Sequence, residues 1–348
     1  MLDKVIRWLK LIYSASPDFR GLVKKISHLA VYGKLIHYQA RRQSSRDLKG
    51  PFNLVIETAN LCNARCLMCP YPKMKRSKRV MADEIFNKIV ERVKKEDLPL
   101  NKVFFSGMGE PLIDPKIVSR IKAFKNLGVQ VKLYTNASLL SKKISEQLVN
   151  LNLDEINISF NGANPKQYSE VMGFDFEKTS KNIYRLLKIK KVKKSHLPQV
   201  RLSLIVLDQN NKDIQNHFKK WHHLVDSVTV SQAHEWGGGV KIKLETKNQK
   251  PCHAGRQAKT VFPCRSLWHT FVIDNSGNFV ICCRDYESKF VLGNIKTDSF
   301  CQIKRNPILK SFKQLHLNFK QANLPKVCQF CNFPYQEGVE WFLPRTID

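Results

Sequence analysis

From residue 51 the chain alternates short apolar runs with longer segments of helical period, and that alternation restricts its possible folds more than any single residue does. Phe52–Thr58 reads as a strand, Met81–Lys95 as a helix and Lys102–Phe105 as a strand. Pro115–Leu127 then reads as a helix stopped by Gly128, Val129–Tyr134 as a strand, and Ser141–Leu151 as a helix with Ser141 at its N-cap. Ile156–Phe160, Val200–Leu207 and Ser227–Ser231 read as further strands, with helices at Phe176–Ile189 and Ile214–Leu224. Six such units in succession predict parallel strands joined by crossover helices, closing wholly or partly into a barrel. The expected class is α/β: a partial (β/α)6 TIM-like barrel followed by a small cysteine-rich extension. In such folds the C-terminal ends of the strands carry the chemistry.

The residues at those ends are unusual. Behind the first strand comes Cys62-Asn-Ala-Arg-Cys66-Leu-Met-Cys69. A single pair of cysteines two apart would suit a zinc half-site or a redox dithiol. Three thiolates on one short loop can hold three irons of a [4Fe–4S] cube and leave the fourth open for a small molecule. The second strand runs into Ser106-Gly107-Met108-Gly109-Glu110-Pro111, where glycines let backbone groups approach a ligand closely. The third ends in Thr135-Asn136 and the fourth in Ser159-Phe-Asn161-Gly162, which ordinary turn chemistry also explains. After the sixth strand, His234, Glu235 and Trp236 stand beside three glycines at the expected barrel mouth.

A second cysteine set follows residue 250: Cys252, Cys264, Cys282, Cys283, Cys301, Cys328 and Cys331. Asp274-Asn-Ser-Gly277 reads as a hairpin turn leading into the strand Asn278–Ile281. A hairpin and the Cys328-Gln-Phe-Cys331 loop together bring four thiolates within reach of one zinc or one iron–sulfur cluster.

The first cysteine spacing resembles the signature of the radical S-adenosylmethionine (SAM) superfamily, and the turn at 106–111 resembles that family's Gly-Gly-Glu-Pro motif, with Met108 where Gly is common. The resemblance implies that Cys62, Cys66 and Cys69 bind a [4Fe–4S] cluster whose open iron chelates SAM. One electron from the cluster then breaks the sulfonium bond and gives a 5′-deoxyadenosyl radical. It implies SAM contacts at Gly107, Gly109, Glu110, Asn136, Ser159 and Asn161, although the family more often has Asp at the last position. The tail resembles the SPASM/Twitch extensions of these enzymes. That implies one auxiliary [4Fe–4S] cluster on Cys264, Cys282, Cys328 and Cys331, with Cys283 able to replace Cys282 and with Cys252 and Cys301 unassigned. The implied activity is hydrogen abstraction from an unactivated carbon, giving net oxidation or peptide modification with electron transfer through the auxiliary cluster. The implied partners are a small-molecule substrate (an acidic sugar or cyclitol) or a peptide, and a reducing donor such as flavodoxin or ferredoxin. The expected domains are residues 1–50, 51–245 and 246–348.

Composition sets outer limits. Ten cysteines in 348 residues fit a reduced, cytoplasmic compartment and metal ligation better than a disulfide scaffold. No apolar run reaches the roughly eighteen residues that a membrane span needs. The net charge of +30 implies attraction to phosphates, nucleic acid, anionic lipid or an acidic partner. Leu2, Val5, Leu9 and Ile12 recur at helical spacing among Lys4, Arg7 and Lys10, a basic amphipathic pattern. It fits a helix packed on the barrel, and also peripheral membrane contact through residues 1–13. Two other readings compete with the main one. A radical SAM enzyme that modifies RNA would use the basic surface to hold phosphates. A non-catalytic, metal-stabilised protein that binds nucleic acid or anions would hold zinc and cleave no SAM.

Overall fold

The computed structural model describes residues 37, 38, 40, 41, 50–207, 214–233, 235–240, 263–318, 323–329 and 331. The basic segment at 1–13, His234, Cys252 and the boundary expected at 245/246 lie outside the described residues.

Strands β1 (Phe52–Ile56), β2 (Leu100–Phe105), β3 (Gln130–Thr135), β4 (Glu155–Ser159), β5 (Gln199–Val206) and β6 (Ser227–Gln232) pair in parallel, each with the next. The helices between them are α1 (Asp83–Lys95), α2 (Ile117–Lys125), α3 (Lys142–Asn150), α4 (Pro165–Met172), α5 (Phe176–Val192) and α6 (Ile214–Trp221). The expected βα alternation and α/β class are therefore present. Helix boundaries follow local chemistry. Ser141 accepts from the Ile144 amide and Asp175 from the Lys178 amide, each satisfying one of the unpaired donors at a helix start.

Along each strand the side chains alternate between two faces. One face is apolar and is covered by the helices. Val103, Phe105, Val131, Leu133, Ile156, Ile158, Val200 and Leu202 are buried there. The Phe105 ring meets Phe124 of α2 edge-on at 6.1 Å, and Phe124 meets Phe86 of α1 at 6.0 Å. The other face, the concave one, carries Lys102, Lys132, Tyr134, Glu155, Asn157, Arg201, Ser203 and Thr229.

The sheet does not end at β1. Strand β7 (Thr270–Ile273) runs parallel to β1 on the side away from β2, with Leu54 opposite Phe271 and Ile56 opposite Ile273. Strands β8 (Asn278–Val280) and β9 (Val291–Asn294) then add antiparallel pairs, so one nine-stranded sheet runs from β6 to β9. Gly277 closes the β7–β8 turn at φ +83°, a conformation that disfavours side chains. Helices α7 (Ser266–His269), α8 (Phe300–Arg305), α9 (Pro307–Leu317) and α10 (Lys326–Gln329) pack around this extension. No described helix is long and apolar enough to cross a membrane.

Candidate active site

Strand β1 delivers the chain to the cysteine loop, and the loop is fixed from three directions. The Cys62 amide donates to the Tyr71 hydroxyl at 2.9 Å. The Leu67 amide donates to the Val171 carbonyl at 3.0 Å, and the Arg65 amide to the Met172 carbonyl at 3.4 Å, so the C-terminal end of α4 holds the loop's far side. Met172 also places its Sδ 3.5 Å from the Cys66 Sγ. Asn136, at the tip of β3, donates to Asn63 at 3.0 Å, tying a third strand to the same loop.

All three thiols are half-buried. Burial pushes Cys62 up to about 11 and raises Cys66 and Cys69, and neighbouring cysteines reinforce the rise at Cys62 and Cys66. Such thiols are protonated unless a metal takes the proton's place. Among the described residues, no three His, Cys, Asp or Glu side chains converge as they would around a single ion. A cubane asks for something else, since each thiolate meets a different iron. Three thiols on one loop suit a cluster that takes three protein ligands and keeps one iron open.

The turn at 106–111 is packed against this loop. A Cβ at Gly109 would lie 2.2 Å from the Ala59 carbonyl oxygen and 2.6 Å from that of Leu61. One at Gly107 would lie 2.5 Å from the Glu57 side chain. Neither position has room for a side chain. Glu110 is buried and faces protein groups. Its carboxylate accepts from the Leu112 amide (3.0 Å), the Thr135 hydroxyl (2.7 Å) and the Asn136 amide (2.7 Å). It bolts the tip of β2 to the tip of β3. Burial raises its pKa, against the pull of these donors.

Asn161 is also engaged at both ends, donating to Met172 Sδ at 3.0 Å and accepting from the Ile205 amide at 2.7 Å. Ser159 is half-buried at the tip of β4. Trp236 lies under the Arg284 guanidinium, 5.5 Å from its ring centre, and so faces the auxiliary segment.

Most of the second cysteine set lies around one hollow. Cys264, Cys282, Cys283, Cys328 and Cys331 line one hollow of about 470 Å³, walled by Leu267, Ile281, Phe312 and Val327. Cys283 is exposed, whereas Cys282 is turned inward. Burial raises Cys264 to about 12 and also raises Cys282 and Cys328, with the neighbouring thiols adding to each. The donor set fits a fully ligated cluster. Cys301 is elsewhere, its amide on Glu96 of the turn after α1.

A second, small hollow lies between the Gly-rich turn and the auxiliary segment. Ser106, Gly107 and Met108 line one side, and Cys282, Cys283 and Asp285 the other. Between them Arg76 makes a two-pronged pair with Glu57 (2.8 and 3.0 Å) and donates to the Tyr286 carbonyl at 2.7 Å. Glu57 in turn accepts from the Met108 amide at 2.8 Å. Sequence reasoning missed Glu57, Arg76, Asn63 and Met172. For Met172 a signal existed: Asn164-Pro165 is a helix start and Gly173 a helix stop, bracketing Tyr168, Val171 and Met172. The other three belong to no periodic pattern.

Comparison with known proteins agrees with this geometry. Residues 56–220 match the radical SAM superfamily model, and residues 264–332 match SPASM, an iron–sulfur cluster-binding domain. The chain is 26% identical over 180 residues to a tungsten-containing aldehyde ferredoxin oxidoreductase cofactor-modifying protein of Pyrococcus furiosus, covering 51% of this chain and 50% of that one. It is 30% identical over 162 residues to a GTP 3′,8-cyclase of Alkaliphilus metalliredigens, covering 45% and 48%. The chain thus spans about half the length of these curated relatives. Among solved structures, Streptococcus suis SuiB bound to precursor peptide SuiA superposes with a TM-score of 0.63 at 15% identity, covering 84% of this chain and 73% of that one. BtrN in complex with AdoMet and 2-DOIA gives 0.55 at 16% identity, covering 82% and 94%. These last two likenesses concern the fold. Residues 56–220 are thus a radical SAM domain, and a SPASM iron–sulfur domain follows it at residues 264–332.

Proposed function

We propose that this chain is an enzyme that reductively cleaves SAM and abstracts a hydrogen atom from its substrate, with net oxidation of that substrate. The carrying observation is that Ser106, Gly107 and Met108 of the Gly-rich turn line one hollow with Cys282 and Cys283 of the auxiliary set. Cys62, Cys66 and Cys69 would hold the first cluster, and Cys264, Cys282, Cys328 and Cys331 the second. A [4Fe–4S] cluster bound at the first site supplies a low-potential electron to SAM.

The chain's own residues do the rest. Gly107 and Gly109 bring backbone close to the ligand, and Glu110 and Asn136 hold the strand tips and the cysteine loop in one geometry. Arg76 fixes the auxiliary hairpin against the Gly-rich turn, through Glu57 on one side and the Tyr286 carbonyl on the other. Adjacency of that kind supports the auxiliary centre as acceptor of the substrate's electron. A small acidic donor protein, a flavodoxin or ferredoxin, would reload the first centre, and the chain's positive charge favours its docking. The neighbours of this fold include one recorded with a precursor peptide and one with 2-DOIA, so both substrate sizes fit the architecture.

Anaerobic reconstitution with iron and sulfide, iron counting and a 5′-deoxyadenosine assay under reductant test the reading. The wild type is expected to hold about eight irons and release 5′-deoxyadenosine. Cys66→Ala should lose the release, Cys282→Ala should lose about four irons and keep it, and Cys283→Ala should retain both. Bound zinc without SAM cleavage would overturn the proposal.

A further inference from the structure

The concave face of the sheet carries a charge imbalance well below the cysteine loop. Lys132 of β3 stands opposite Glu155 of β4, and Arg201 of β5 opposite Asn157. Three cations gather on one carboxylate. The Lys132 ammonium pairs with Glu155 Oε1, the Lys102 ammonium lies 3.5 Å from Oε2, and Arg201 Nε lies 3.4 Å from Oε1. Lys132 has no exposed surface, and Arg201 is 7% exposed. The Nε and Nη1 atoms of Arg201 make no hydrogen bond.

One carboxylate balances one of the three positive charges. Buried charges left unmatched are costly, so they mark a place where a further anion would be stabilised. The cluster faces away from the helices, because the helix-covered side of the same strands is apolar. Above it, Ser203 donates to Asn157 at 2.7 Å and lies 3.1 Å from Thr229, giving a polar wall that leads up to Ser159. Lys102, Lys132 and Glu155 each sit four residues before Ser106, Asn136 and Ser159 at the strand tips, a depth of about 13 Å.

We propose that Lys102 and Arg201, backed by the buried Lys132–Glu155 pair, form an anion site in the barrel floor that takes the phosphate group of a phosphorylated small-molecule substrate. The assignment rests on the radical SAM reading above and adds the substrate class to it. Two surplus positive charges match a phosphate monoester, which carries close to two negative charges, better than they match one carboxylate. A phosphate held at the floor leaves a body of sugar size or larger to span the distance to the strand tips. Asn157, Ser203 and Thr229 would offer hydrogen bonds to its hydroxyl groups. Glu155 offsets the repulsion among the cations and competes with an incoming anion for them.

The test is calorimetric titration of the reconstituted full-length protein with inorganic phosphate at constant ionic strength, with acetate as the comparison anion. The wild type should bind one phosphate saturably and acetate at least tenfold more weakly. Arg201→Gln and Lys102→Gln should each weaken phosphate at least tenfold. Lys102 is partly exposed, so that variant tests the pocket even where the Arg201 change unfolds the chain. Glu155→Gln should tighten phosphate several-fold, which a purely structural ion network does not predict. Absence of saturable binding, equal binding in the two cation variants, or equal binding of acetate would overturn the proposal. SAM cleavage by the wild type, measured in parallel, separates the two readings: cleavage without a phosphate site overturns the floor pocket alone.

Discussion

Glu110 shows how a motif residue acts through what it touches. Its carboxylate satisfies two backbone amides and one hydroxyl in a buried place. In Glu110→Gln the amide nitrogen can replace only one oxygen, and either orientation leaves the Leu112 or the Asn136 N–H facing a donor. An orphaned buried amide costs about 1–3 kcal/mol, so urea denaturation should show a loss of that order. The buried histidines set the acid limit of the fold. Burial, helped by Arg265 and Lys304, pushes His269 down from 6.5 to about 3, and burial also lowers His217 and takes His316 to about 4. These groups are neutral in the folded chain and take up protons in the unfolded one. Their contribution to stability is therefore fully present above pH 6.5 and is lost as the pH drops from there toward about 3. His269→Gln should flatten that fall in denaturation curves taken from pH 7.5 down to 5.

At the scale of elements, the six parallel strands β1–β6 and strand β8 were legible because each declares itself by residue type, whereas the short β7 and β9 were not read. β-branched runs read as strands, and cysteine spacing reads as ligation. Strand α/β order followed directly. Helix α4 was not seen: it has only eight residues, lies between an Asn-Gly turn and Gly173, and was absorbed into the loop before Phe176. Yet α4 carries Met172 to Cys66. The parallel pairing of β7 with β1 was equally invisible, since nothing in a four-residue strand names its neighbour. The roles of Glu110 and Asn161 as ties between strands also depended on three-dimensional partners. Gly162 tests the importance of α4. A Cβ there would lie 2.6 Å from the Tyr168 backbone, which cannot move aside like a flexible side chain. Gly162→Ala should cost about 1–3 kcal/mol by overpacking. It should also lower iron retention at the first cysteine set, because the loop amides of Arg65 and Leu67 hang from the end of that helix.

At the scale of the whole molecule, β1 is an interior strand. It pairs with β2 on one side and β7 on the other, and the Glu57 amide beyond it still reaches the Ile273 carbonyl at 2.9 Å. Phe52, in turn, packs on Phe271 with ring centres 5.1 Å apart. The barrel and the auxiliary segment therefore share a sheet as well as a cleft. A chain ending at residue 245 should aggregate or unfold at lower denaturant, and the full chain should unfold in one transition by circular dichroism and by fluorescence. Two separate transitions would show that the halves are independent. The same pairing has a consequence in time. Asn53 finds Thr270 only after roughly 200 further residues have been made. At ordinary rates of translation that delay is roughly 10 to 40 s. For that interval the strand leading to the cysteine loop stands at the edge of an unfinished sheet, with its amides and carbonyls open to any other strand. The nascent chain thus has a defined window in which its first cysteine loop is already made while the strand behind it is prone to mispair.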